Sequence, residues 1–153
     1  MRNMMIGALA SVAVMMLSTT AFAQGTEAEA KAMLTKAVAA VKADAAKALD
    51  MFTKGEGGFL DRDLYVFCLN TTDGKIATTQ AKQLIGTDSR ALKDANGKMY
   101  GEELFAAGNK PEGQVTEVSY MFPRPGADKT PVPKVSFVTR ASANLGCGVG
   151  FYK

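Results

Sequence analysis

The residues best suited to chemistry are few. Lys134 follows Pro133 at the head of a β-rich run, Lys134 to Ala141. Alternation along that run puts Lys134, Ser136 and Val138 on one face and Val135, Phe137 and Thr139 on the other. A lysine on a sheet face beside aromatic residues can hold a carboxylate through a charge-assisted hydrogen bond, with hydroxyls such as that of Ser136 fixing its orientation. Tyr120, in the preceding β-rich run from about Gln114 to Phe122, can supply a further hydroxyl; its parity partners are Val118 and Phe122. Arg124 and Tyr100 are weaker candidates, brought toward the same side only by the loops that carry them. Phe67 can form an apolar floor. A plainer reading stands beside each: Lys134 as a solvated strand-end lysine, Tyr120 as a half-buried packing aromatic, Phe67 as an ordinary core residue.

Other chemistries are excluded or poorly supported. The chain contains no His, which removes imidazole acid–base catalysis, Ser–His and Cys–His pairs and His-containing metal sites. Two Cys cannot by themselves build a zinc or iron–sulfur centre. No nucleophile–base pair is evident, so no enzymatic activity, cofactor or metal is expected. Asp61, Asp63 and Asp73 do not have the spacing of a calcium loop, and Asp73-Gly74, Asp88 and Asp94 with Asn96-Gly97 read as turns and caps. The net charge of +3 over 153 residues is too small and too evenly spread for a nucleic-acid protein.

The elements that must position these residues follow from periodicity. Arg2, an apolar run from Ile6 to Leu17 and Ala21-Phe22-Ala23 read as a signal peptide cleaved after Ala23; the run is too short for a spanning anchor. Residues 24–153 are then one exported, soluble domain, periplasmic or secreted. Thr26 and Glu29 form a capping box. Leu34, Val38, Val41, Ala45, Leu49 and Phe52 recur with a helical period, and Gly55 supplies the stop. The spacing predicts one helix from Glu27 to Lys54, about 42 Å long at 1.5 Å per residue. Its opposite face carries Ala30, Lys31, Ala37, Lys42 and Ala46, which reads as a solvated face or as a self-association seam. Beyond Gly55-Glu56-Gly57-Gly58 the period changes to two. Strands are expected at Leu64–Leu69, Ile76–Thr79, about Gln114–Phe122, Lys134–Ala141 and Leu145–Tyr152, with short helical pieces, Gly101–Ala107 the clearest, between the second and third. The prolines from Pro123 to Pro133 read as a loop. Gly146, Gly148 and Gly150 leave one face of the last strand bare for the long helix or a ligand to approach, helix packing being the reading favoured. The fold class is α+β, with a long N-terminal helix packed on a five-stranded antiparallel sheet.

The order of Tyr65-Val66-Phe67, Asp73-Gly74-Lys75, Leu84 to Asp88, Leu92 to Lys98, Gly113, Tyr120 to Pro123, Pro133 to Val138 and Gly148 to Tyr152 resembles the single Cache domain of bacterial extracellular sensors. The resemblance spans roughly Ala30 to Tyr152. It implies a PAS-like fold in which the sheet face opposite the long helix encloses a site for a small molecule, often a short carboxylate or an amino acid. Members of that family usually sit between transmembrane helices; here no second membrane helix and no output domain are evident. The expectation is therefore a small-molecule binding or sensing domain acting through a separate membrane receptor, kinase or transporter. The alternative is an interaction or scaffold module, homodimeric through the long helix, without a ligand. The strand order of the family (second, first, fifth, fourth, third) makes the strands of Cys68 and Cys147 neighbours. It implies a disulfide between them in an oxidising compartment, with two buried free thiols as the alternative.

Overall fold

A computed structural model describes residues 23–153; the expected signal segment lies outside them except for Ala23. The chain forms α1 (Glu27–Ala43), α2 (Ala45–Lys54), β1 (Leu60–Asp61), β2 (Leu64–Asn70), β3 (Ile76–Thr78), α3 (Tyr100–Gly108), β4 (Thr116–Pro123), β5 (Pro131–Arg140) and β6 (Leu145–Tyr152). The sheet is antiparallel in the order β1-β2-β6-β5-β4, with β3 also paired to β2. The five expected strands are present in the expected order, and β1 is a two-residue addition. No helix among the described residues is long and apolar enough to cross a membrane.

The single long helix is corrected to two. Asp44 adopts an extended conformation (φ −162°, ψ 99°) that ends α1 and starts α2. Its side chain accepts from Lys47 N–H at 3.0 Å, so a strong N-capping residue inside a helical period breaks the helix while keeping its phase. The capping box at Thr26 and Glu29 and the left-handed Gly55 stop form as expected. The buried stripe is also rotated. Ala30 and Ala37, assigned above to the solvated face, are 0% exposed, with Met33, Leu34 and Val41 beside them, whereas Val38, Ala45 and Leu49 are only partly buried. Ala30 and Ala37 thus share the buried stripe with Leu34 and Val41, and Val38 and Leu49 sit at its margin. Phe52, fully buried edge-on to Phe59 at 4.6 Å between ring centroids, anchors α2. Phe52→Ala is expected to cost about 3–5 kcal/mol, measured by urea denaturation, whereas half-buried Leu49→Ala costs less.

The proline segment is shorter as a loop than expected, because β4 includes Pro123 and β5 starts at Pro131. β5 pairs with β6 only from Lys134 onward. The Pro133 carbonyl accepts from Lys153 N–H, so the ring nitrogens of Pro131 and Pro133 face the side on which β6 has ended. No ladder hydrogen bond is lost there.

The sheet separates two cores. Leu64, Val66, Cys68, Val135, Phe137, Cys147 and Val149 pack on α1 and α2. Phe67, Leu69, Tyr120 and Val138 face α3 through Tyr100, Leu104 and Ala107. Cys68 and Cys147 are directly paired in register, with Cα atoms 4.1 Å apart, and form a disulfide within the first core. The alternating glycines of β6 face the second core, which corrects their expected role. A side chain at Gly146 would meet Gly108 of α3, one at Gly148 would meet Phe67, and one at Gly150 would meet the Lys134 stem and Ser136. Gly146 admits α3, not the N-terminal helix, and the other two make room for side chains of β2 and β5.

Candidate functional site

The second sheet face holds a small cavity of about 30 Å³ bordered by Tyr65, Phe67, Thr79, Tyr100, Tyr120, Phe122 and Lys134, and closed by Ile76, Leu84, Leu92 and Leu104. That is room for about one or two waters. Each wall has a sequence cause. Tyr65 and Phe67 share a face by alternation on β2, Tyr120 and Phe122 do so on β4, and α3 lays Tyr100 across them. The Tyr100 and Tyr120 rings stack at 4.3 Å with planes 2° apart, and Phe122 meets both edge-on.

Lys134 is 2% exposed. Its Nζ donates to Tyr65 OH at 3.0 Å and lies 4.2, 5.0 and 5.1 Å from the ring centroids of Tyr65, Tyr152 and Phe122. The rings stabilise a cation electrostatically, but the ammonium has no anionic partner within ion-pairing distance among the described residues. Burial therefore dominates and lowers its pKa to about 7, with Asp63 opposing the shift. Burial also raises the tyrosines: Tyr65 and Tyr120 well above the ordinary phenol value, Tyr152 upward, and Tyr100 to about 12. The site is thus a single cation of marginal protonation among neutral hydroxyls. Tyr120 OH and Ser136 Oγ hydrogen-bond at 2.9 Å, and Tyr152 OH donates to the Pro123 carbonyl at 2.8 Å. The floor depends on Gly150, where any Cβ would overlap the Lys134 stem. Gly150→Ala is expected to cost about 1–3 kcal/mol through forced displacement of that side chain, read as a lower denaturation midpoint.

Of the six candidate side chains, Lys134, Tyr120, Tyr100 and Phe67 border the cavity directly, and Ser136 joins them through its bond to Tyr120. Arg124 does not reach it. Its guanidinium lies 5.1 Å from the Tyr152 ring centroid and 3.6 Å from Asp63 Oδ2, bordering an outer groove with Gln80, Gln83 and Lys129 that shares Tyr65 and Phe122 with the cavity. Sequence reasoning missed Tyr65, Thr79, Phe122 and Tyr152. Parity with Phe67 was a signal for Tyr65, and parity with Tyr120 one for Phe122. Tyr152 enters only because β6 pairs it with Lys134. Asp73, Asp88 and Asp94 cap turns through bonds to nearby backbone N–H groups, and no group of three metal-ligating side chains occurs among the described residues.

Solved structures that share this fold include bacterial sensor domains. A methyl-accepting chemotaxis protein from Vibrio parahaemolyticus RIMD 2210633 superposes with a TM-score of 0.65 at 21% identity, covering 82% of this chain and 87% of the other. A periplasmic sensor domain of a chemotaxis protein gives 0.60 at 23%, covering 80% and 86%. A Cache chemosensory domain described for its carboxylic acid recognition gives 0.59 at 22%, covering 80% and 84%. No curated protein sequence matches. The family model described as single Cache domain 2 matches residues 2–152. With the strand order, the helical cover and the enclosed second sheet face already described, that match makes the chain a member of the single Cache domain family of sensor domains.

Proposed function

We propose that this protein is an exported, periplasmic binding domain for a small carboxylate or similar anionic metabolite, freed by cleavage after Ala23 and acting through a separate membrane receptor, kinase or transporter. One observation carries the reading. Lys134 is a buried ammonium with one neutral hydrogen-bond partner and, among the described residues, no counter-ion, and such a group is strongly stabilised by a small anion entering beside it. The surrounding hydroxyls of Tyr65, Tyr120 and Thr79 can orient a carboxylate, and Phe67 and Phe122 can cover a short apolar tail. The cavity as it stands is water-sized, so a ligand larger than formate requires its walls to move apart. Support for the scaffold alternative is weakened, because two of the small residues assigned to its seam, Ala30 and Ala37, are buried against the chain's own sheet.

Calorimetric titration with short carboxylates, amino acids and amines tests the reading. Lys134→Ala is expected to weaken binding of an anionic ligand by more than about tenfold, since a charge-assisted hydrogen bond contributes roughly 1.5–3 kcal/mol. Absence of heat with every compound, and no ligand retained through purification, rejects it.

A further inference from the structure

We propose that anion binding at Lys134 is coupled to uptake of one proton, so that above neutral pH the site takes up a weak carboxylic acid as a net-neutral pair, anion plus proton. This rests on the carboxylate-binding reading above and adds the regulation of the same site. The geometry carries it. The Lys134 ammonium is enclosed on β2 by Tyr65, on β4 by Tyr120 and Phe122, on β6 by Tyr152, and on the α3 side by Tyr100. Every titratable group among these is a phenol that burial keeps protonated.

The nearby charged groups are committed elsewhere. Asp63, before β2, accepts from Gly25 N–H at 2.7 Å and lies against Arg124. Asp94, which with Lys98 and Lys153 borders an open groove that also touches Lys134, accepts from the backbone N–H groups of Asn96, Lys98 and Met121. None neutralises the ammonium, so an empty site disfavours the charge and an anion restores it. Burial holds the free amine near the middle of the neutral range, and an anion in contact must raise it. The chain has no His, the side chain that ordinarily titrates there, and both cysteines are bonded.

The test is calorimetric titration with acetate, propionate and pyruvate at about pH 6 and about pH 8.5, each in two buffers of different ionisation enthalpy. All three probes are ionised throughout, so any change belongs to the protein. Affinity is expected to fall by about tenfold or more between the two pH values, with about one proton taken up per anion at the higher one. In Lys134→Arg, whose guanidinium stays charged, binding that survives is expected to lose this dependence. Binding with equal affinity at both pH values and no buffer-dependent heat overturns the coupling alone. A dependence that persists in Lys134→Arg overturns its assignment to Lys134. Absence of heat at both pH values overturns the carboxylate reading and the coupling with it. Carbon-13 titration of the Lys134 side chain in the ligand-free protein decides without any probe: a midpoint near the ordinary lysine value of about 10 overturns the proposal, and one near 7 supports it.

Discussion

Lys134→Met is expected to stabilise the ligand-free protein at about pH 6 by about 2–4 kcal/mol, with the gain shrinking as the pH rises toward about 10. The side chain is fully enclosed and its pKa falls from 10.5 to about 7 on folding, chiefly through burial. Every tenfold weakening of proton affinity corresponds to about 1.4 kcal/mol, and the gain is less than the resulting total because Met loses the bond to Tyr65 and the ring contacts. The sign follows from proton counting. Between pH 7 and 10.5 the unfolded chain holds more protons on this lysine than the folded one, so wild-type stability rises with pH across that window. Below pH 7 both states are protonated and the full penalty applies. Met fits the same unbranched volume without a charge. Urea denaturation of wild type and variant at about pH 6, 8 and 10 measures the difference. A variant less stable than wild type at the lowest pH would show that the aromatic cage compensates the buried charge, and would remove the energetic basis for anion binding.

Removing the disulfide by Cys68→Ala with Cys147→Ala is expected to lower stability by about 4 kcal/mol. The two residues are 79 apart in sequence, and a cross-link closing a loop of that size restricts the unfolded chain by roughly this amount in the chain-entropy model. Both positions are fully buried in the core beneath α1 and α2, so the alanines also leave a small void. Guanidinium denaturation of the double variant measures the loss. Thiol counting on denatured, non-reduced wild type should find no free thiol. Two free thiols would overturn the bridge. The site lies on the opposite sheet face, so the double variant should retain anion affinity wherever it remains folded.

The strands were legible as short β-rich runs bounded by turn residues: Leu64 to Leu69 is apolar throughout because both of its faces are buried, whereas the later runs alternate. Lys134, Ser136 and Val138 could be assigned to one side, and Val135 and Phe137 to the other, without any coordinates. The helix was legible in phase but not in extent. Asp44 keeps the period running while its side chain caps the next turn, and only the backbone at that residue reveals the break. Ala30 and Ala37 were misplaced because hydropathy weighs size, whereas burial in the stripe depends on helical phase and takes in small residues beside Leu34 and Val41. The β6 glycines were read as making room, which they do, but which core their bare face meets depends on the phase of β6 in the sheet, and that phase turns it to Gly108 of α3, Phe67 and Lys134.

By itself the amino-acid sequence determined the α+β class, the strand boundaries to within a few residues, the absence of imidazole chemistry, and the placing of Lys134, Ser136 and Val138 on one strand face. These are local properties, set by periodicity, turn chemistry and residue type. Tertiary structure alone decided the rest. It set Tyr152 across from Lys134, laid Tyr65 and Phe122 against the ammonium, kept Arg124 outside the cavity, and left the lysine without a counter-ion among the described residues. Those facts depend on the register between strands far apart in the chain and on which charges burial brings together. No local pattern encodes either, because the energy of a buried charge is a property of everything that surrounds it.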